Sequence, residues 1–182
     1  MRTDGIRPSG EGIQRRLVCA AMLAALWIAS GAAQSGIDPA LLKRLFPAAA
    51  SFSPKGGDPP HIKALTADGK TIVGFAFWTT ELEPLERGYD GPIKILVGMD
   101  TKGLLTGVVV AEHHEPYGNF SIEPPQFSAQ FKGKDVRDRF RVGMDVDAVS
   151  RASITIGSAT RAIRNSARRI ARQYLASPDA AK

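Results

Sequence analysis

Ile62-Lys63-Ala64-Leu65-Thr66-Ala67-Asp68-Gly69-Lys70-Thr71-Ile72-Val73-Gly74-Phe75-Ala76-Phe77-Trp78 is the stretch on which the fold turns. Asp68-Gly69 suits the positive-φ positions of a tight turn, and the second run is β-branched and aromatic, as a strand should be. The reading is a β-hairpin with arms over residues 62–67 and 71–79. Outward from it, residues 93–99 and 104–112 read as two more strands joined by Asp100-Thr101-Lys102-Gly103. On the amino-terminal side, Leu41, Leu42, Leu45 and Phe46 fall at helical spacing, with Asp38-Pro39 as a start and Pro47 as a stop. Residues 53–60, 81–92 and 113–126 read as loops, 127–131 as a short helix or turn, and 136–142 as a weaker segment.

The carboxyl-terminal part reads as one helix from about Ser158 to Leu175. Ile163, Ala167, Ile170 and Tyr174 form an apolar stripe, and Arg161, Arg164, Arg168 and Arg172 form a second stripe with Arg169 beside it. This pattern predicts the apolar face on a sheet and the arginines in solvent. The fold class that follows is α+β, an antiparallel sheet packed with helices and closed by a long C-terminal amphipathic helix. No internal repeat is visible, and 182 residues suit one domain with a real core.

Residues 1–33 read as a secretory leader. Arg15 and Arg16 give a positive flank, residues 17–29 are apolar, and Ser30, Gly31, Ala32 and Ala33 suit a peptidase pocket, with cleavage expected near Ala33. The apolar run is short of the roughly 20 residues that a spanning helix needs; a retained anchor is the alternative. Domain organisation is then a signal peptide over 1–33 and one domain over 34–182, with a periplasmic location. The net charge of +6 loses Arg2, Arg7, Arg15 and Arg16 against Asp4 and Glu11, leaving a modest positive excess concentrated in the last helix.

Cys19 is the single cysteine and lies inside the leader. The remaining chain therefore has no disulfide, no thiolate nucleophile and no cysteine-held iron–sulfur or zinc site. Redox activity would need a borrowed organic cofactor or His and carboxylate ligands. His113-His114-Glu115 invites a metal reading, but adjacent residues on an extended chain point to opposite faces, so the pair does not chelate one ion. No metal site is expected. No nucleophile elbow and no Ser, His and Asp in convincing spacing occur, so no catalytic residues of a hydrolase are assigned. The Arg-rich helix lacks interleaved aromatic residues, and export argues against nucleic acid as a partner.

The informative segment is Asp147-Ala148-Val149-Ser150-Arg151-Ala152-Ser153-Ile154-Thr155. Three hydroxyls among small neighbours lie just ahead of a helix whose free N–H groups and dipole favour phosphate. Two readings stand side by side. Ser150, Ser153 or Ser158 is the helix cap, or one hydroxyl carries a phosphate group.

This segment resembles the attachment motif of the FMN-binding domain family, which includes the periplasmic domains of NosR-type proteins and the flavin subunits of Rnf and Nqr complexes. The family pattern is Asp, two residues, Ser or Thr, Gly, Ala and Thr. It maps here onto Asp147, Ser150, Arg151, Ala152 and Ser153. Leu45-Phe46-Pro47-Ala48, Asp58-Pro59-Pro60, Gly91-Pro92-Ile93, Val97-Gly98-Met99-Asp100 and Glu112-His113-His114-Glu115-Pro116 continue the likeness in order. The resemblance is to the flavin domain alone.

The resemblance implies FMN joined through a phosphoester to Ser153, delivered from FAD by a flavin transferase, with Thr155 as the second hydroxyl. It also implies that His113 and His114 line the flavin pocket; as bare sequence they are equally loop residues bonded to backbone. Two departures stand out. Arg151 replaces the usual Gly, and either obstructs the transferase or pairs with the cofactor phosphate. Ser153 replaces the usual Thr and keeps the hydroxyl. The implied role is a redox carrier subunit, taking electrons from a membrane quinol or iron–sulfur module and passing them to an exported redox acceptor. The alternative is a sensory or binding module that has lost covalent attachment.

Overall fold

The computed structural model describes residues 37–175. The leader expected over 1–33, with Cys19, lies outside the described residues. The chain runs α1 (Pro39–Leu45), β1 (Ser51–Phe52), β2 (Ile62–Leu65), β3 (Ile72–Trp78), α2 (Thr79–Leu82), β4 (Lys94–Asp100), β5 (Leu105–Glu112), α3 (Gly118–Ser121), α4 (Pro125–Ala129) and α5 (Ser153–Tyr174). The five strands form one antiparallel meander in the order β1-β2-β3-β4-β5. The α+β class and the antiparallel sheet agree with the sequence pattern.

Both faces of the sheet are covered, and strand alternation sorts the side chains between them. Phe75, Phe77, Ile95, Val97, Met99, Leu105 and Val108 face α5 and the chain around Phe127, Phe131, Phe140 and Val146. Ala76, Trp78, Leu96 and Val109 face the other way, with Leu42, Leu45 and Phe46 of the α1 region. Asp38 caps α1 by accepting the Ala40 N–H at 2.8 Å, and Pro39 occupies the first turn. The Asp38-Pro39 start signal therefore works as read.

Small residues make room for α1. A Cβ at Gly74 would lie 2.6 Å from the Met99 carbonyl oxygen and on the Phe46 ring; one at Gly98 would lie 3.0 Å from Leu45 Cβ. Gly74→Ala is therefore an overpacking change against backbone, expected to cost about 2 kcal/mol. A urea midpoint unchanged from the parent would show that Phe46 does not need this space.

The hairpin is present, with arms shorter and a turn longer than the tight one expected. Residues 66–71 connect β2 to β3. Gly69 sits at φ 66°, and the Asp68 carboxylate accepts from Lys70 N–H at 2.9 Å and Thr71 N–H at 3.0 Å. Where the expected strand arm over 71–79 gives way to the polar loop expected over 81–92, residues 79–82 form the short helix α2. Thr79 Oγ1 donates to the Ile93 carbonyl at 3.1 Å and accepts from Ile95 N–H at 3.1 Å, pinning α2 to β4.

The last helix begins at Ser153, about five residues before the expected start. Ile154, Thr155, Ile156 and Gly157 are mediocre helix formers, which hid this turn. Tertiary burial of Thr155, Ile156 and Ala159 outweighs that weakness. The arginines are also less free than the stripe implied. Arg169 donates to the Leu82 carbonyl at 2.9 Å, Arg168 to the carbonyls of Val136 and Asp138 at 2.9 and 2.8 Å, and Arg161 pairs with Glu86 at 2.7 Å. These side chains clamp irregular segments to α5. Arg172 alone of the five is exposed with no such bond among the described residues.

Candidate functional site

Three segments meet at the amino-terminal end of α5: residues 88–90, residues 113–117 and residues 151–155. The chain leaves β5 at Glu112 and folds back on itself, with His113 Nδ1 accepting the Glu115 N–H at 3.1 Å and the Gly118 N–H donating to the Glu115 carbonyl at 3.0 Å. His113 Nε2 faces Glu123 Oε1 at 3.1 Å. A ring nitrogen that accepts leaves the other to donate, so His113 bridges two acidic segments of the loop.

That fold-back places the Glu115 carboxylate, 6% exposed, against both neighbouring segments. It accepts the N–H groups of Tyr89 at 3.0 Å and Asp90 at 2.9 Å, and the hydroxyl of Thr155. Burial pushes the Glu115 carboxyl upward. The Thr155 hydroxyl, the two backbone N–H groups and the nearby His113 outweigh that push, and the net shift is below the usual carboxylate range. Two glycines permit the arrangement. A Cβ at Gly88 would lie 2.6 Å from Glu115 Cδ, and one at Gly118 would lie 2.8 Å from His113 Nδ1.

Thr155 is thus buried and committed, whereas Ser153 is exposed at the first position of α5. The residue before it, Ala152, is the cap position and has no side-chain hydrogen bond to offer. None of Ser150, Ser153 and Ser158 caps the helix, because the cap falls on an alanine; Ser158 is buried one turn further on. The first-turn N–H groups therefore lack a side-chain acceptor, an arrangement suited to an anion.

Arg151 explains where the chain turns. It sits at φ 68°, in the left-handed region that favours glycine. Arg151→Gly is expected to stabilise the protein by about 1 kcal/mol in urea unfolding; a loss of stability would mean that the arginine side chain contributes contacts that outweigh the backbone cost.

Beside Ser153 lies a recess of about 320 Å³ lined by Tyr89, Pro116, Tyr117 and residues 151–155. Its rim is apolar and outward-facing: Tyr89 is 70% exposed, Ile154 57%, Phe120 45% and Tyr117 43%, with the Tyr117 and Phe120 rings 5.4 Å apart. Exposed aromatic residues gathered beside an uncapped helix start are unusual unless something covers them. Of the residues singled out in the sequence, Arg151, Ala152, Ser153 and Thr155 line this recess. Asp147 and Ser150 are exposed upstream, outside its lining, and the Asp147 N–H donates to Gln130 Oε1 at 2.6 Å. His114 is exposed outside the lining, and His113 holds the loop from the neighbouring side. Glu115 was weighed only as part of His113-His114-Glu115 and of the family likeness, and Tyr89, Tyr117, Phe120 and Ile154 were not singled out; the rim is a product of tertiary approach.

Residues 88–168 match the FMN-binding domain family. That segment is similar to FMN-binding domains. Its bounds take in all three parts of the recess. The chain is 29% identical to the regulatory protein NosR of Stutzerimonas stutzeri, over 63% of this chain and 17% of that protein. It is 34% identical to one component of the ion-translocating oxidoreductase complex of Yersinia pestis, over 62% of this chain and 56% of that component. A shorter match, to the same component of the complex in Haemophilus influenzae strain PittEE, is 47% identical over 26% of this chain and 21% of its relative. The chain thus spans less than two thirds of the curated relatives it matches. The recess has features that suit FMN: an accessible hydroxyl, open N–H groups and an aromatic rim adjoin one another. Among the described residues no group of three His, Cys, Asp or Glu side chains suits a metal ion, and no helix is long and apolar enough to cross a membrane.

Proposed function

We propose that this protein is an exported electron-transfer flavoprotein that carries FMN on the Ser153 hydroxyl. The observation that carries the reading is the division of labour between two hydroxyls in one helical turn. Ser153 is exposed beside the recess, while Thr155 is buried on Glu115. The relatives' names, a component of an oxidoreductase complex and a regulatory protein, support a redox setting. A bound FMN supplies reversible one- or two-electron chemistry.

The chain's own residues would hold and orient. Attachment would form a bond from Ser153 Oγ to the FMN phosphorus and break the pyrophosphate linkage of FAD. AMP leaves with the electron pair, and the hydroxyl proton passes to the transferase or to water. The first-turn N–H groups of α5 and the Arg151 cation would be available to the phosphate charge. Tyr89, Tyr117, Phe120 and Ile154 would cover ring surface and exclude water from it. Glu115 would fix the recess by tying Thr155 to residues 89 and 90.

In this reading the leader over 1–33 is removed near Ala33 and residues 34–182 act in the periplasm. A flavin transferase loads the domain, a membrane quinol or iron–sulfur module supplies electrons, and an exported redox protein accepts them. The chain is then a carrier subunit and not an enzyme turning over a small substrate. Arg151 favours a second reading, a domain that binds FMN reversibly, because a bulky left-handed cation adjoins the attachment hydroxyl. Intact mass of the exported protein, co-produced with a flavin transferase, separates the two. Protein heavier by FMN less one water supports the first; unmodified protein that still takes up FMN supports the second; unmodified, colourless protein without FMN affinity removes both.

A further inference from the structure

The sheet ends on β5, and that edge is left unpaired along most of its length. Leu105 exchanges backbone hydrogen bonds with residues 133 and 134, at 2.7 and 2.8 Å. Beyond it, among the described residues, the backbone of 106–112 bonds to nothing except β4. The edge reads Thr106-Gly107-Val108-Val109-Val110-Ala111-Glu112, without a lysine or proline in its middle. Soluble proteins normally blunt such an edge with charge, proline or a covering element. Here it forms the floor of a groove of about 750 Å³, walled by Arg44 and Leu45 on one side and by Pro125, Ala129 and Lys132 on the other.

Charge gives this groove a polarity. At the Thr106 end stand Arg44 and Lys132, both exposed and without an ion pair among the described residues. At the other end the acids are already matched, Glu112 with Lys94 at 3.5 Å and Glu123 with His113 at 3.1 Å. A strand added antiparallel to β5, as every other pair in the sheet is, would run its carboxyl end toward Thr106. Its terminal or near-terminal carboxylate would then meet Arg44 and Lys132.

We propose that β5 is a strand-addition site for an extended carboxyl-terminal segment of a partner protein, apolar and β-branched along its length and ending in acidic charge. Main-chain pairing supplies the affinity, and the two basic side chains set direction and end preference. The groove reaches His113, whose loop carries Glu115 and Tyr117, so such a partner would lie alongside the FMN-binding recess. The inference rests on the open edge and its charges, and it stands whether or not Ser153 carries FMN.

The probe is a fluorescent heptapeptide, Thr-Val-Thr-Val-Thr-Val-Asp with a free carboxyl end, titrated by anisotropy against the protein. Saturable binding below about 1 mM is expected. Affinity should fall about tenfold when the peptide ends in Lys-amide or when Arg44→Glu and Lys132→Glu are combined. Ala129→Trp, an exposed wall position, should abolish binding while leaving the far-ultraviolet spectrum and FMN uptake unchanged. No binding by about 1 mM, or binding indifferent to all these changes, overturns the proposal. A dimer in sedimentation that Ala129→Trp dissolves would assign the groove to a second copy. Probe binding seen only after removal of residues 1–36 would assign it to the chain's own amino-terminal segment. Either result also overturns the proposal.

Discussion

Glu115→Ala is expected to lower the unfolding free energy by about 3 kcal/mol and to strip the protein of its affinity for FMN. Among the described residues the carboxylate is the single group that ties all three segments of the recess together, through Tyr89, Asp90 and Thr155. Removing it leaves two backbone N–H groups and one hydroxyl without their acceptor in a largely closed site. Hydrogen bonds to a charged group contribute about 1.5–3 kcal/mol each, and an abandoned buried donor costs about 1–3 kcal/mol. The losses overlap, because residues 89 and 90 can relax into solvent, hence the figure near the lower end of their sum. Glu115→Gln keeps the shape and one acceptor oxygen, and should fall between alanine and the parent.

The same carboxylate sets an acid limit. Its pKa in the folded protein lies below the ordinary glutamate value, so the unfolded chain binds the proton more readily. The stabilisation is therefore fully present above about pH 4.3, the unfolded value, and is lost as pH falls through the folded pKa. Urea midpoints at neutral pH and at about pH 3 check this. The drop between them should be smaller in Glu115→Gln than in the parent. An equal drop in both would place the acid sensitivity elsewhere, with Asp145 and Asp135 next to be tested, since their carboxyl pKa values are also lowered.

How much of this was readable in the sequence differs by scale. Continuous apolar runs over 72–78 and 94–100, the first β-branched and aromatic, exposed the strands directly, because both faces of the sheet are buried. Asp38-Pro39 and Pro47 bounded α1 by local chemistry alone. The start of α5 was hidden for the opposite reason. Ile154, Thr155, Ile156 and Gly157 are poor helix formers, and only packing against a sheet distant in sequence makes them helical.

The site divides in the same way. Asp147, Ser150, Ala152 and Ser153 were legible because they match a family motif of particular side chains at fixed spacing. The Glu115 to Thr155 bond joins residues forty positions apart, and no local pattern announces it. The aromatic rim is less legible still: Tyr89 sits in a loop and Phe120 in the one-turn helix α3, and their exposure depends on how three segments approach. Arg151 is instructive on both counts. It looked like a departure from the family's Gly, and its left-handed backbone supplies the physical reason a Gly is usual at that position.

The sharpest expected contrast lies within one turn of α5. Ser153→Ala should abolish the added mass of FMN less one water in protein co-produced with a flavin transferase, with little change in folding, because the side chain is exposed and makes no hydrogen bond that the fold uses. Thr155→Ala should do the reverse. It removes the hydroxyl that Glu115 accepts from, costing about 1–3 kcal/mol, yet it leaves the attachment oxygen in place. Ser153→Thr keeps a hydroxyl at the family's usual residue and should be loaded at least as well as the parent. Peptide mapping of loaded protein places the modification directly. If FMN were found on Thr155, or if Ser153→Ala were loaded normally, α5 would have to unwind its first turn to present a buried hydroxyl, and the proposed attachment site would fall. Non-covalent FMN uptake by Ser153→Ala then measures what the recess contributes alone. The open N–H groups and the aromatic rim remain in that variant, so weak, reversible binding should persist where the covalent bond does not.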